Sequence, residues 1–367
     1  SQMQIFIALI LLLAFIASTP LYAENLLFIS TSPVPPGKFT KLSEIAAAQG
    51  YRIDHRAAEK LPADQDASLF KGYSAVFFDT PRDHLQEYVR TRLAKALPEL
   101  RLPHVWLHDK TPDAKDFPRP VAERLHAYYV NGGRSNFENF FRTLAAQRDK
   151  QAMQGIAAPI IFPKEAVYHP QAPGLIFNSA DAYLRWKGVV PFFAERPPII
   201  ALALHQGYIA SEQTAFIDDL IARIEAGGAV ALPYYAPVMS AQAAMLKVDG
   251  KLVADAMINT QVVLDPEGRR KELSELGIPV LQALSYRNGD EADWRADPHG
   301  VPLIDVPFFL AQGEYAGIYD ALVAGQTRKG DEQVVAIPEQ AAALVAKALR
   351  LVRLQRLPNA EKKVAVM

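Results

Sequence analysis

Short apolar runs alternate with amphipathic stretches through most of the chain after residue 24. Four runs of strand length occur in the first half, at residues 26–29, 51–53, 75–78 and 104–107. After the third run, Thr80 and Pro81 are placed to start a helix. Leu85, Val89 and Leu93 would then share one face of that helix. Strands that alternate with helices predict a mostly parallel sheet covered on both sides.

A second series with the same alternation begins near residue 197. The unbroken apolar run 199–204 is typical of a strand buried on both faces, and a helical pattern follows it. Further runs of strand length lie at residues 230–233, 256–258 and 279–284. We therefore predict the α/β class, with two Rossmann-like or flavodoxin-like parallel-sheet domains.

Proline content marks the boundary between the two series. Residues 156–198 contain seven prolines and are predicted to form a linker with a Tyr-His-Pro turn. The linker would join an N-terminal α/β domain, 24–155, to a second α/β domain, 199–358, that ends in a long helix before Pro358. Residues 359–367 are interpreted as the start of a further, truncated domain.

The N-terminus carries an apolar run of its own, at residues 5–17, followed by Pro20 and Ala23. An apolar core, a proline break and a small residue before a polar start are typical of a secretory signal. We interpret residues 1–23 as a signal peptide or an uncleaved anchor, which predicts an exported protein, periplasmic or anchored in the inner membrane. A buried first strand in a cytoplasmic protein is the alternative, because no Lys or Arg precedes the run.

Composition narrows the chemistry that the chain can perform. The net charge of −1 over 367 residues gives no basic surface for nucleic acid. The chain has no cysteine, which excludes disulfides, zinc–thiolate sites and a thiol nucleophile. It also contains no Walker A sequence, so we expect no ATP site in this part of the protein.

Polar side chains follow several of the predicted strands of the second domain. His205 and Gln206 come directly after the run 199–204, Asn259 follows 256–258, and Gln282 lies within 279–284. Ligands of parallel α/β sheets bind beyond the carboxyl ends of the strands, which makes these residues candidates for polar recognition. The alternative is that they cap helices and shape turns.

Two further stretches combine backbone punctuation with polar groups. Gly132 and Gly133 lead into a predicted helix that carries Asn136 and Asn139, where a helix start could bind an anionic group or could simply be a tight turn into a packed helix. His169 lies in a turn next to Pro170, where its imidazole could ligate a metal, accept a proton or act as a hydrogen-bonding strut.

These segments, in this order, resemble the CobN and magnesium-chelatase H family over most of residues 120–367. The matching stretches are 131–139, 168–176, 200–237, 258–260, 277–282 and 359–365. The resemblance implies the N-terminal part of a metal chelatase large subunit that binds a tetrapyrrole (haem, a porphyrin or a corrin precursor) for insertion or removal of a divalent metal. It implies as partners the remainder of the large subunit, and chelatase accessory subunits or uptake machinery.

The resemblance also suggests roles for individual residues. His169 and His205 are the candidate catalytic groups, and His169 is also the candidate metal ligand. The candidate substrate-binding residues are Asn136, Asn139, Gln206, Asn259 and Gln282. The family's loop after the strand 199–204 usually carries an arginine, and here Gln206 replaces a guanidinium by an amide that can only hydrogen-bond.

The predicted export changes which activity we expect. Family members that insert metals work with an ATP-hydrolysing motor, and little ATP is available outside the inner membrane. One hypothesis is therefore a chelatase-type protein that binds or demetallates a tetrapyrrole during uptake. The alternative is an exported binding protein for haem or a metal complex, without catalytic turnover.

Overall fold

The computed structural model describes residues 24–110 and 112–366, which divide into two compact units with the boundary between Ile161 and Phe162. Each unit has its own sheet and its own apolar cores. The predicted signal peptide or anchor, residues 1–23, lies outside the described residues. No helix in the described part of the chain is both long and apolar enough to cross a membrane.

A five-stranded sheet forms the centre of the first unit. Its strands are β1 (Glu24–Ser30), β2 (Tyr51–Ala57), β3 (Ala75–Asp79), β4 (His104–Leu107) and β5 (Asp113–Lys115). They lie in the order β2-β1-β3-β4-β5, and every neighbouring pair is parallel except β4 and β5. The apolar runs 26–29 and 75–78 are fully buried, as expected for strands covered on both faces.

Helices cover both faces of this sheet. They are α1 (Gly37–Ala47), α2 (Asp83–Arg92), α3 (Arg119–Asn131) and α4 (Arg134–Arg148). Helices α1, α3 and α4 pack on the face that carries Phe28 and Phe77, whereas α2 packs on the opposite face through Val89. Gly132 and Gly133, with φ of 66° and 82°, form the tight link between α3 and α4, where a residue with a Cβ would be strained.

The second unit contains an eight-stranded sheet and a small hairpin. The strands of the sheet are β6 (Ala166–Tyr168), β7 (Ile176–Phe177), β8 (Ile199–Leu204), β9 (Val230–Tyr235), β12 (Ala256–Asn259), β13 (Val280–Ser285), β14 (Tyr319–Thr327) and β15 (Val334–Ala336), and the hairpin is formed by β10 (Lys247–Val248) and β11 (Lys251–Leu252). The sheet order is β15-β14-β13-β12-β8-β9-β6-β7, and its five central strands, β14 to β9, are parallel. The predicted α/β class, with two mainly parallel sheets, is confirmed.

Helices again lie on both faces of the sheet. They are α5 (Ala180–Trp186), α6 (Gln206–Ala210), α7 (Ala215–Ala226), α8 (Pro266–Leu276), α9 (Glu291–Ala296), α10 (Gln312–Ala316) and α11 (Pro338–Arg356), with a π-helical turn at Val306–Ala311. The long helix α11 shares one apolar core with α7, while α5 and α8 share the core of the opposite face. This division follows the sequence, because the apolar residues of α7 recur at helical spacing on one face.

Two predicted boundaries differ from the structure. The segment 156–198, which we predicted as a linker, contains β6, β7 and α5 and so contributes to the second unit. Its prolines lie around these elements, and Val167 pairs with Tyr234 at the antiparallel edge of the sheet. The segment predicted to begin a further domain has a short 3₁₀ helix at Asn359–Glu361, and residues 362–366 form no regular element.

Candidate functional site

Strands β8 and β12 mark the place in the second unit where the sheet changes its direction of winding. They are parallel neighbours, with Asn259 beside Ala203. Helix α7 follows β8 and packs on one face of the sheet, whereas α8 follows β12 and packs on the other. The chain therefore leaves the two carboxyl ends in opposite directions. Such a divergence opens a crevice at which α/β proteins bind ligands, and we call it the β8–β12 crevice.

His205 lies at the start of this crevice, directly after β8. The side chain is half-buried, and its Nε2 accepts a hydrogen bond of 3.2 Å from the backbone N–H of Val262. Burial lowers the pKa of His205 to about 4, so the imidazole is neutral at pH 7. Because Nε2 accepts, the proton of the neutral ring is on Nδ1, which can donate one hydrogen bond.

Tyr208 and Thr260 add hydroxyl groups beside the imidazole. The rings of His205 and Tyr208 lie 6.1 Å apart, and the Thr260 hydroxyl donates to the Ala203 carbonyl at 2.7 Å. Burial raises the pKa of Tyr208, although Arg287 and a hydrogen bond with Thr260 act in the opposite direction. The phenol therefore keeps its proton, and the groups from β8 and β12 are uncharged at neutral pH.

Buried amides form a connected chain beneath the crevice. Asn259 donates from Nδ2 to Gln282 Oε1 at 2.8 Å and to the backbone oxygen of Gln261 at 3.0 Å. Gln261 donates to the Leu204 carbonyl at 2.8 Å and accepts from Gln242 at 3.0 Å. All four amide side chains are buried, so they hold the ends of β8, β12 and β13 in register.

One donor of this chain is left over. Gln282 Nε2 is buried and has no hydrogen-bond partner among the described residues. Such a group costs about 1–3 kcal/mol unless a water or a ligand satisfies it. A cavity of about 10 Å³, enough for roughly one water, is lined by residues that include Asn259, Gln261 and Gln242.

Exposed apolar side chains surround the crevice on the loops that follow the parallel strands. We call them the apolar rim: Met239 after β9, Leu264 after β12, and Leu303, Ile304 and Phe308 after β13. Leu303 and Ile304 are each 72% exposed. The backbone of Phe308 accepts a hydrogen bond of 3.0 Å from Val263, which ties the last two loops together.

Of the predicted site residues, four come together at this edge. Gln206 begins α6 next to His205, is half-buried, and makes no side-chain hydrogen bond to another described residue. Asn259 and Gln282 bond to each other but lie below the surface. Their assignment as direct substrate contacts stays a prediction, and the geometry makes them supports of the crevice.

His169 lies at the other end of the same sheet. It is buried, its Nε2 lies 3.0 Å from Glu225 Oε1, and its Nδ1 accepts the N–H of Gln171 at 3.1 Å. Glu225 is in the last turn of α7, before β9 begins, and it also binds Lys187 at 2.6 Å. Both ring nitrogens are thus engaged, so the roles of His169 as metal ligand and catalytic group would require these bonds to break.

Asn136 and Asn139 lie on α4, in the first unit. Asn136 donates to the carbonyls of Gly132 and Ile160, at 2.8 and 2.9 Å, and accepts from the Ile160 N–H at 2.9 Å. Asn139 is also buried and accepts from Arg142 at 3.2 Å. These bonds fix the segment that follows α4, and the predicted role of both residues in substrate binding is untested.

The sequence did not identify several residues of the crevice. Tyr208, Gln242, Gln261 and Arg287 belong to it or to its support, and so does the apolar rim. Gln261 could have been found from its position two residues after Asn259, and Arg287 from its position just after β13. No group of three or more His, Asp or Glu side chains in the described part of the chain is placed to hold a metal ion.

The second unit therefore belongs to the doubly wound α/β proteins, which bind ligands at a crevice of this kind. The family model described as CobN/Magnesium Chelatase matches residues 126–367. Because that match covers about two thirds of the sequence, the chain belongs to the CobN/magnesium chelatase family. The match includes the whole second unit and with it the β8–β12 crevice.

Individual relatives agree with this assignment. The H-type large chain of the magnesium chelatase of Rhodobacter capsulatus is 25% identical over 267 residues, covering 65% of this chain and 22% of that protein. The aerobic cobaltochelatase protein CobN of Pseudomonas aeruginosa is 28% identical over 270 residues, covering 69% and 20%. The chain thus spans about a fifth of the length of these relatives.

A solved structure shares the fold. The catalytic subunit of cobaltochelatase from Mycobacterium tuberculosis superimposes with a TM-score of 0.66 at 20% sequence identity. The similarity covers 93% of this chain and 28% of that one.

Proposed function

We propose that this chain is the part of a CobN-type large subunit that binds a tetrapyrrole at the β8–β12 crevice, for insertion or removal of the central metal. The observation that carries the proposal is the combination of an uncharged polar crevice with the apolar rim around it. A tetrapyrrole has two broad apolar faces and polar groups at its edge, and it needs both kinds of surface.

The apolar rim supplies the apolar part of such a site. Leu303 and Ile304 are large aliphatic side chains that water contacts almost fully. Covering apolar surface stabilises a complex by about 25 cal/mol per Å², and exposed apolar groups that cluster often mark binding surfaces. A flat macrocycle laid across the loops after β9, β12 and β13 would cover them.

The neutral state of the crevice suits an apolar ligand as well. A charged imidazole or phenolate would lose its hydration beneath a macrocycle, at a cost of several kcal/mol. His205 and Tyr208 avoid that cost because burial holds both in their neutral forms. His205 Nδ1, the Tyr208 hydroxyl and the Gln206 amide are the groups we expect to contact the ligand.

Metal chelation is supported by the names of the relatives, a magnesium chelatase and a cobaltochelatase. The metal would be the substrate carried by the macrocycle, and the remainder of the large subunit and accessory subunits would be the partners. Because the chain spans about a fifth of those proteins, we propose that it contributes the ligand-binding surface and that other parts complete the reaction.

The test is an absorbance titration of the chain with haem and with metal-free porphyrin. We expect a saturable Soret shift that His205→Ala weakens by roughly tenfold, the loss of about one hydrogen bond and its packing. His169→Ala is the matched control, since it removes a histidine at the other end of the same sheet and should lower stability without changing affinity. Binding that is unaffected by His205→Ala but abolished by His169→Ala in a folded protein would reverse this assignment.

Turnover separates the chelatase from a binding protein. With a bound metalloporphyrin, metal released over time and captured by a chelator indicates demetallation. An exported carrier for haem or a metal complex would instead show stoichiometric binding with no change of the metal over hours.

Export is also proposed, from the apolar run at residues 5–17. Fractionation of cells that express the chain, with a variant in which this run carries two aspartates, tests it. The original chain should appear outside the inner membrane or attached to it, and the variant should stay in the cytoplasm.

A further inference from the structure

Few cations are available at the carboxyl edge of the second sheet. Arg269 lies near the crevice, but its guanidinium donates to Glu272 and to the carbonyls of Val238 and Ser240, and its side chain is only 14% exposed. It therefore holds the loop after β9 and cannot turn to a ligand without releasing that loop. Arg287, which follows β13, has a side chain that is 60% exposed.

The carboxylate of Asp305 orients the Arg287 guanidinium. Nε of Arg287 donates to Asp305 Oδ2 at 3.3 Å, and Nη2 donates to Oδ1. The Asp305 side chain is only 6% exposed, so the anchor of this pair is fixed inside the loop that carries the rim residues Leu303 and Ile304. Nη1 makes no hydrogen bond to a described residue, so the outer edge of the planar fork is available.

The guanidinium also lies near the groups of the crevice. It is close enough to Tyr208 to act on the pKa of that phenol, and Tyr208 in turn lies beside His205 and Thr260. Arg287 is thus positioned between the polar crevice and the apolar rim. A ligand whose apolar face covers the rim would bring its edge toward this side chain.

Resting on the proposed function, we propose that Arg287 is a specificity-determining residue that binds a peripheral carboxylate of the tetrapyrrole, with Asp305 as its positioning partner. A guanidinium already held through Nε and Nη2 can still bind a second carboxylate through Nη1 and the remaining Nη2 proton. The arrangement selects macrocycles that carry carboxylates over esterified or unsubstituted ones.

The experiment compares coproporphyrin with its tetramethyl ester, both presented in the same neutral detergent micelles, by fluorescence titration. Arg287→Lys keeps a charge near Asp305 but loses the fork, and Arg287→Gln with Asp305→Asn removes both charges without leaving a buried carboxylate unpaired. Arg295→Gln is the control, because Arg295 has a side chain 51% exposed and pairs with the surface carboxylates of Glu291 and Glu339.

We expect the original chain and the Arg295 control to bind coproporphyrin more tightly than the ester. The double variant should lose roughly 10- to 100-fold in affinity for coproporphyrin, the range for a hydrogen bond to a charged group, and should bind the ester unchanged. The lysine variant should fall between.

The outcomes separate the two proposals. Equal affinity of the original chain and the double variant for coproporphyrin overturns the role of Arg287 while leaving tetrapyrrole binding intact. Failure of the folded original chain to bind either porphyrin overturns the proposed function itself.

Discussion

The two units carry the same topological feature with different side chains in it. In the first unit β1 and β3 are parallel neighbours, and α1 and α2 leave their carboxyl ends toward opposite faces. In the second unit β8 and β12 do the same with α7 and α8. Topology alone therefore predicts a ligand crevice in each unit, so the side chains must decide which crevice is used.

Ion pairing fills the first crevice. Lys38 Nζ and the Tyr129 hydroxyl both bind Asp79 Oδ2 at 2.7 Å, and Ser30 bonds to His55 at 2.7 Å. Lys38 and Asp79 are buried, and the Lys38 ammonium lies 4.2 Å from the centre of the Tyr129 ring. The second crevice has neutral groups, an unpaired buried amide donor and an apolar rim. The difference teaches that carboxyl-edge polarity indicates a ligand site only where those groups are not already paired with one another.

The largest expected effect is on the charged crevice. Lys38→Met leaves the Asp79 carboxylate buried without its cation, which should lower the free energy of unfolding of the first unit by about 3–5 kcal/mol. Urea unfolding followed by circular dichroism measures it. Lys38→Met combined with Asp79→Asn should recover most of the loss, because the amide oxygen can still accept from Tyr129. A double variant as unstable as the single one would show that packing of Lys38, rather than its charge, is what matters.

The amide chain of the second crevice should give the next largest effect. Asn259→Ala removes the donor to Gln282 and to the Gln261 carbonyl and leaves buried acceptors unpaired, at a cost of about 1–3 kcal/mol. Porphyrin affinity of the folded variant should change less than in His205→Ala. The exposed Asn288→Ala is the control and should stay within about 0.5 kcal/mol of the original chain. A stable Asn259→Ala that binds no porphyrin would make Asn259 a direct ligand contact instead.

The apolar rim should affect binding and not stability. Leu303→Ser with Ile304→Ser removes aliphatic surface that water already contacts, so unfolding should shift by less than about 1 kcal/mol. Porphyrin affinity should fall roughly tenfold, the loss expected for about 60 Å² of covered apolar surface. Ile161→Ser, at 66% exposure in the first unit, is the matched control and should bind normally. A rim variant with unchanged affinity would remove the main support for the proposed site.

The sequence predicted the fold class and placed part of the site. Continuous apolar runs such as 199–204 identified central strands, because burial on both faces leaves no polar position in them. Two-residue strands such as β7 could not be found, since their pairing depends on β6 rather than on any local pattern.

The same limit applies to the site. His205, Gln206, Asn259 and Gln282 were predicted because strand ends can be located in the sequence. The engagement of His169 with Glu225 joins positions 56 residues apart, and the pairing of Lys38 with Asp79 joins positions 41 apart. The sequence shows that such groups exist, but tertiary contacts decide which are paired and which can bind a ligand.

The smallest expected effect is a pH dependence that the two crevices share without a ligand and lose with one. Burial lowers the pKa of both His55 and His205 to about 4, although the Asp79 carboxylate acts to raise that of His55. Between an ordinary value of 6.5 and 4, the unfolded chain holds more protons than the folded chain, so the free energy of unfolding falls as the pH is lowered through that window. His55→Asn and His205→Asn should each flatten part of this slope.

A bound carboxylate should separate the two histidines. NMR titration of the imidazole Cε1 protons, assigned with the same two variants, should give midpoints near pH 4 for both histidines in the free chain. With coproporphyrin bound, the added negative charge near the crevice should raise the midpoint of His205 and leave that of His55 unchanged. A ligand that shifts His55 instead would place the binding site in the first unit, and equal shifts in both would mean that the ligand does not distinguish the two crevices.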